Sequence, residues 1–325
     1  MAESGASDAS RTLGVVLPRD LRADLVVEFA RSAERHGFDE LWVVEDLGYR
    51  GGIAQAAVAL SVTNRLRVGI GILPAGARHV AFTAMEIATL AELFPGRIDA
   101  GVGHGMPMWM RSLDAWPDSP LTLLGEYVSG LRAILRGDRV PKDARYVHVG
   151  DVTPVSPPAQ VPDVLVGARG PKSLELSARL ADGTILAEPA TPEYIRSVLA
   201  RSTPPAGHRM VAYNVAAVAD TDDAAIAEVR SALAVMGDAD WAPHIESLDF
   251  ADALVKLRRE SESAEDFAAR MPVEWVHRLS ICGTADTARA RITEIFRAGA
   301  TSVVLIPVGT DPVESLARLA RVIDA

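Results

Sequence analysis

Four short apolar runs, residues 13–17, 40–44, 66–73 and 97–105, return about every 30 residues, and each of the first three leads into a helix-patterned stretch. A strand followed by a helix long enough to cross back is the unit of a parallel sheet, because parallel strands cannot be joined by a tight turn. The helical stretches are predicted over residues 20–36, 54–62 and 80–93; in the first, Leu21, Leu25, Val26, Phe29, Ala30 and Ala33 share a face, and Gly37 follows at a C-cap position. After a long amphipathic helix over 121–136, the alternation resumes with strands predicted at 164–168, 183–187, 209–219 and 302–306. Helices are predicted at 171–180, 192–201, 222–236, 284–298 and 313–323. Residues 139–162 carry five prolines and read as a loop excursion, with room for a small hairpin at 146–149.

Eight strands alternating with helices predict an α/β fold of the (β/α)8 TIM-barrel type with insertions. The competing arrangement is an open doubly wound sheet. It lacks support at the first strand end, where Pro18-Arg19-Asp20 stands in place of a glycine-rich dinucleotide fingerprint. A single domain is expected over 11–325, with an insertion at about 241–278 and a small, polar, disordered tail over 1–10 that has no signal-peptide pattern.

In such a barrel the chemistry belongs at the C-terminal strand ends. Arg97-Ile-Asp-Ala-Gly-Val-Gly-His-Gly105 ends in three alternate glycines around His104, so something must approach the backbone closely there. His104 can contact a flat ring, exchange a proton near neutrality or serve a structural hydrogen bond. Arg169-Gly-Pro-Lys-Ser173 places a glycine before a proline at a helix start, with Lys172 and Ser173 in the first turn; free N–H groups and the helix dipole there suit a phosphate. Glu45 and Asp46 are adjacent carboxylates at a strand end and point to opposite sides, one of them toward the mouth. His79, after Arg78, fits either a helix anchor or catalysis. Met106 and Met108 flank Pro107 in a loop and suit an adaptable apolar wall, with Trp109 beside them.

Several classes are excluded. A net charge of −10 argues against nucleic acid or an anionic membrane as main partner. Cys282 is the one cysteine, so no internal disulfide or thiol-rich metal site can form, and a cytoplasmic protein is expected. The most apolar stretch, residues 58–75, is interrupted by Thr63, Asn64, Arg65 and Arg67, so no membrane span is expected. No two histidines stand at metal-ligand spacing, and no Gly-x-Ser-x-Gly elbow occurs.

Ala33-Glu-Arg-His-Gly-Phe-Asp-Glu-Leu-Trp-Val-Val-Glu45, Arg65-Leu-Arg-Val-Gly-Ile-Gly-Ile-Leu-Pro74 with Arg78-His79, residues 90–105, Val166-Gly-Ala-Arg-Gly-Pro-Lys-Ser173 and Pro307-Val-Gly-Thr-Asp-Pro312 occur in that order. Together they resemble the luciferase-like flavin- or deazaflavin-dependent oxidoreductases. The resemblance implies a bacterial luciferase-like barrel, often a homodimer, that binds coenzyme F-420 or FMN at its C-terminal mouth. It implies a third-strand bulge, in some members with a non-proline cis peptide, placed at residues 69–73, with Gly71 and Ile72 behind the ring. It also implies a cofactor site over Gly103 and His104, and a phosphate on Gly167, Ala168, Arg169, Gly170, Pro171, Lys172 and Ser173. The substrate, a small molecule, would lie against Met106, Met108 and Trp109, with Glu45, Asp46 or His104 as catalytic candidates. Two positions depart from the family: Asp46 stands where many deazaflavin users carry histidine, and no acid lies near Met108. The expected activity is hydride transfer with coenzyme F-420. The alternatives are an FMN-dependent monooxygenase and a non-catalytic cofactor-binding relative.

Overall fold

A computed structural model describes residues 11–140, 142–150 and 157–323. The tail over 1–10 and part of the proline-rich excursion lie outside the described residues.

Strands β1 (Thr12–Val16), β2 (Glu40–Val43), β3 (Arg67–Pro74), β4 (Ile98–Gly103), β5 (Val164–Gly167), β6 (Gly183–Leu186) and β7 (Arg209–Val218) are consecutive neighbours, all parallel. The strand Ser302–Pro307, β9, then pairs with both β7 and β1 and closes an eight-stranded barrel. Sequence reasoning missed a short strand, β8 (Ile281–Gly283), which pairs with Ala216–Val218 at the outer end of the long β7. Its three residues are too few to leave a periodic signal.

The helices surround the barrel: α1 (Val26–Arg35), α2 (Gly52–Val62), α3 (Val80–Leu93), α4 (Pro107–Ser112), α5 (Pro120–Arg136), α6 (Pro171–Leu180), α7 (Pro192–Ser202) and α8 (Asp222–Val229). The predicted helix over 20–36 is shorter, with a 3-10 turn at Ala23–Leu25 before α1; Phe29, Ala30 and Ala33 are its buried face. The expected hairpin at 146–149 is absent. The Glu126 carboxylate accepts the backbone N–H groups of Arg145, Tyr146 and Val147 instead, at 2.8, 2.7 and 3.2 Å. The insertion consists of α9 (Ala242–Ile245), α10 (Ala251–Glu260), α11 (Ala264–Arg270) and α12 (Val273–Leu279). It covers its own apolar cluster, including Leu254, Phe267 and Leu279, against the outer end of β7. Helices α13 (Ala285–Arg297) and α14 (Pro312–Leu319) complete the ring.

Side chains alternate between the lumen and the helix-facing core, as period-2 strands require. The N-terminal end of the lumen is a charged plug. Arg209 pairs with Glu40, Asp99 and Asp163 at 3.0, 2.7 and 3.0 Å, and Arg67 pairs with Asp99 and Asp163. Thr12, Ser302 and the Trp42 indole donate to Glu40 at 2.8, 2.6 and 2.8 Å. Above the plug, Trp42 is fully buried among Val16, Leu165, Ile185, Val211, Tyr213 and Val304. It fits because its neighbours on β1 and β3 are glycines: a Cβ on Gly69 would collide with its ring, and one on Gly14 would reach it at 3.2 Å. A buried aromatic of this kind removes roughly 200 Å² from water, which at about 25 cal/mol/Å² is on the order of 5 kcal/mol.

Candidate active site

The upper tier of the lumen, at the C-terminal strand ends, is small and apolar. Val44, Ile72 and Ile306 lie against the Trp42–Tyr213 cluster but keep part of their surface exposed. The Gly71–Ile72 peptide is cis, at the bulge where the β3–β4 register shifts between Ile70 and Leu73. The Ile72 side chain lies over β4 and β5, because Gly103 and Gly167 have none; Cβ atoms there would come to 3.0 and 2.8 Å from it. The group lying on the buried Gly103, where a ring was expected to approach, is Ile72, which keeps part of its own surface exposed. Gly105 has φ of +74° and faces Met110 and Pro74, so it serves the turn out of β4.

His104 and Ser173 are brought together: the imidazole Nε2 and the Ser173 hydroxyl lie 3.0 Å apart. Burial lowers the His104 pKa, which favours the neutral ring. Ser173 sits in the first turn of α6, whose N-cap is Gly170 and whose first residue is Pro171. The first N–H groups of a helix have no partner within it. Beside them the space over Gly170 is open, with nothing within 4 Å of a Cβ built there. Lys172 is exposed in the same turn. Pro171 has no N–H and the Ser173 N–H donates to the Gly170 carbonyl at 3.1 Å, so the open glycine, the Lys172 N–H and the Ser173 hydroxyl are what this turn offers a phosphate.

Other expected site residues have different tasks. Ala168 is buried in the core outside the lumen, and its N–H donates to Ile185 at 3.3 Å, so its side chain does not face the mouth. Arg169 turns away from the phosphate turn. Its guanidinium lies 5.0 Å over the Trp241 ring and reaches the Asp240 carbonyl at 3.5 Å, tying the insertion to the mouth. Glu45 is not free for proton transfer: it accepts the Gly52 N–H at 2.8 Å and pairs with Arg78 at 3.1 Å. Asp46 is held by Arg19 at 2.7 Å. His79 is a helix cap: its Nδ1 accepts the Ala81 N–H at 3.2 Å, and Nε2 donates to the His148 carbonyl at 3.0 Å. Of the loop residues, Met110 is buried, Met106 and Trp109 are half-buried, and Met108 is 70% exposed.

Two polar groups near the mouth are not among the expected site residues, although Glu188 lies in one of the eight strand ends read from the sequence. The Tyr213 hydroxyl is buried with no hydrogen-bond partner among the described residues, and it lies where a Gly71 side chain would be. Burial raises its pKa well above the usual phenol value. Glu188 follows β6, immediately before a cis peptide to Pro189. Burial raises its carboxyl pKa, against the lowering effects of its own backbone N–H and of Arg169. The signal that could have found it is an acid at a strand end followed by proline. No side-chain cluster of the described residues is arranged to hold a metal ion.

The sequence model of the luciferase-like monooxygenases matches residues 5–302, and the chain belongs to this family. It is 28% identical over 311 residues to the 5,10-methylenetetrahydromethanopterin reductase of Methanolobus tindarius, covering 91% of this chain and 94% of that one. Over 180 residues it is 34% identical to the F420-dependent glucose-6-phosphate dehydrogenase of Beutenbergia cavernae, covering 52% of each. The fold is also that of the coenzyme F420-dependent tetrahydromethanopterin reductase of Methanopyrus kandleri, with a TM-score of 0.82 at 21% identity over 96% of this chain and 97% of that one. No helix among the described residues is long and apolar enough to cross a membrane.

Proposed function

We propose that the chain is a coenzyme F-420-dependent oxidoreductase acting on a small organic molecule at the barrel mouth. The observation that carries this reading is the pairing of an apolar floor at Gly71 and Ile72 with the open start of α6, bridged by the His104–Ser173 contact. A flat ring needs the first, and a phosphate-bearing side chain needs the second. The relative from Beutenbergia cavernae, named for its dependence on F420, supports the choice of deazaflavin over FMN. When bound, the deazaflavin supplies or accepts a hydride. The chain holds the phosphate through the Lys172 and Ser173 turn, backs the ring with Ile72, and walls off water with Met106 and Trp109.

Glu45 and Asp46 are committed to ion pairs, so they serve as positioning groups: Glu45 fixes the start of α2, and Asp46 fixes the β1 loop through Arg19. The unpartnered Tyr213 hydroxyl and the Glu188 carboxyl, which has no ion pair among the described residues, support an enzyme over a non-catalytic relative.

A homodimer completes the proposal. Phe82, Met85 and Leu93 on α3 are 64%, 59% and 64% exposed, an apolar stripe of the kind a second copy covers. Light scattering is expected to give a dimer for the native chain and a monomer for Phe82→Glu. A cytoplasmic setting accompanies this reading, since Cys282 is buried and has no second thiol to pair with.

The cofactor choice is tested by titrating the purified protein with F-420 and with FMN, followed by fluorescence. F-420 is expected to bind at least about tenfold more tightly than FMN; the reverse order would transfer the reading to FMN.

A further inference from the structure

Glu188 stands at the end of β6 among charged groups from three other strand ends and a phenol from the middle of β7. Arg19 follows β1, Asp46 follows β2, Arg169 follows β5, and Tyr213 lies on β7; each interacts electrostatically with it. Both neighbouring cations are already engaged: Arg19 with Asp46 at 2.7 Å, and Arg169 with the Trp241 ring and the Asp240 carbonyl. Neither forms an ion pair with Glu188. Among the described residues no side chain hydrogen-bonds to its carboxyl; its own backbone N–H does. The acids at the opposite end of the lumen are each held by one or two arginines. Glu188 is therefore a half-buried acid that the fold brings to the mouth with cations nearby but no direct ion pair among the described residues.

We propose that Glu188 is the proton-carrying group of this site: it holds a carboxylic acid proton at the mouth and exchanges it with the heteroatom of the bound substrate. This rests on the reading of the mouth as the cofactor and substrate site. As a carbonyl carbon of the substrate gains a hydride, its oxygen must gain a proton. The Glu188 O–H bond breaks, its electron pair stays on the carboxylate, and the new O–H bond forms on the substrate. Solvent then returns a proton to Glu188. In the oxidation direction the carboxylate takes the alcohol proton. Such a group works best when its pKa lies near the working pH. Burial without an ion pair moves Glu188 in that direction. The Tyr213 hydroxyl, also unpartnered, is placed under the same floor against Gly71.

The test uses the full chain without cofactor. Carboxyl carbon NMR of glutamate-labelled protein, with Glu188 assigned by its loss in Glu188→Gln, is expected to show a midpoint above the ordinary glutamate value of about 4.3. Because Arg169 lowers and Asp46 raises this pKa, Arg169→Leu should move the midpoint up and Asp46→Asn should move it down. A midpoint in the ordinary glutamate range, or one unmoved by both variants, overturns the proposal. F-420 fluorescence titration separates it from the cofactor reading. Glu188→Gln is expected to bind F-420 within about threefold of the native chain. Loss of binding in Glu188→Gln alone would make Glu188 a cofactor contact and overturn the proton role. If neither protein binds F-420, the cofactor reading falls and the carboxyl titration alone decides whether Glu188 holds its proton.

Discussion

The two ends of the barrel lumen use polar residues in opposite ways. At the N-terminal end, Glu40, Asp99 and Asp163 meet Arg67 and Arg209, and hydroxyls and an indole fill the remaining positions on Glu40. Burial lowers the Arg209 pKa, but Asp99 and Glu40 outweigh it, so its charge is locked on. At the C-terminal end, the Tyr213 phenol has no partner among the described residues and Glu188 has no ion pair, with glycine and branched aliphatic side chains around the phenol. A buried polar group without a partner costs stability, so the Tyr213 hydroxyl is a group that a ligand at the mouth would satisfy. The plug is therefore structure and the mouth is function, although both are built by the same alternation along the same strands.

The largest effect is expected from breaking the plug. Arg209→Met leaves Glu40, 1% exposed, without its ion-pair partner and the buried Asp99 with Arg67 alone. Denaturant unfolding should show a loss of about 3–5 kcal/mol. A loss under about 1 kcal/mol would mean that Arg67 alone neutralises the plug. Next, Gly69→Ala drives a methyl into the Trp42 ring and should cost about 1–3 kcal/mol. At the mouth the sign changes. Tyr213→Phe removes an unpaired hydroxyl and should leave stability unchanged or raise it by up to about 1 kcal/mol. A clear loss of stability would show that the hydroxyl has a partner and that the contrast between the two ends is weaker.

The smallest effect is a pH dependence. The folded-state pKa of Glu188 is raised, so its protonated form is favoured by folding. The native chain has the full contribution of this group below the unfolded pKa and loses it as pH rises through the folded value. Glu188→Gln loses nothing over that window, so its stability relative to the native chain should grow with pH. Thermal unfolding across the window checks this, and a pH-independent difference would contradict it.

Much of the barrel was legible because a fold-wide rhythm is read from local patterns. The strand positions from β1 to β7 and the helices α3, α6 and α7 fall within two residues of their expected bounds. The turn at Gly170–Ser173 was legible for the same reason, since glycine, proline and a polar first turn act within four residues of one another. What a strand-end side chain meets is decided by residues far away in sequence. Glu45 is claimed by Arg78, 33 residues on. Arg169 is claimed by the insertion at Trp241, and Gly103 is covered by Ile72 from the neighbouring strand. Adjacent acids at 45 and 46 were therefore given roles, while Glu188, alone before a proline at a recognised strand end, was given none. The β3 bulge and its cis peptide were anticipated through family resemblance, and no local spacing points to them.

The central claim is that the mouth binds the deazaflavin with its phosphate on the start of α6. It is tested most directly by fluorescence titration of F-420 into the native chain and into Gly170→Asp, whose new carboxylate enters open space and leaves the fold intact. Saturable binding by the native chain, weakened in the variant by more than about 1.5 kcal/mol through charge repulsion, is the expected result. Equal binding by the two proteins would place the phosphate elsewhere and contradict the claim.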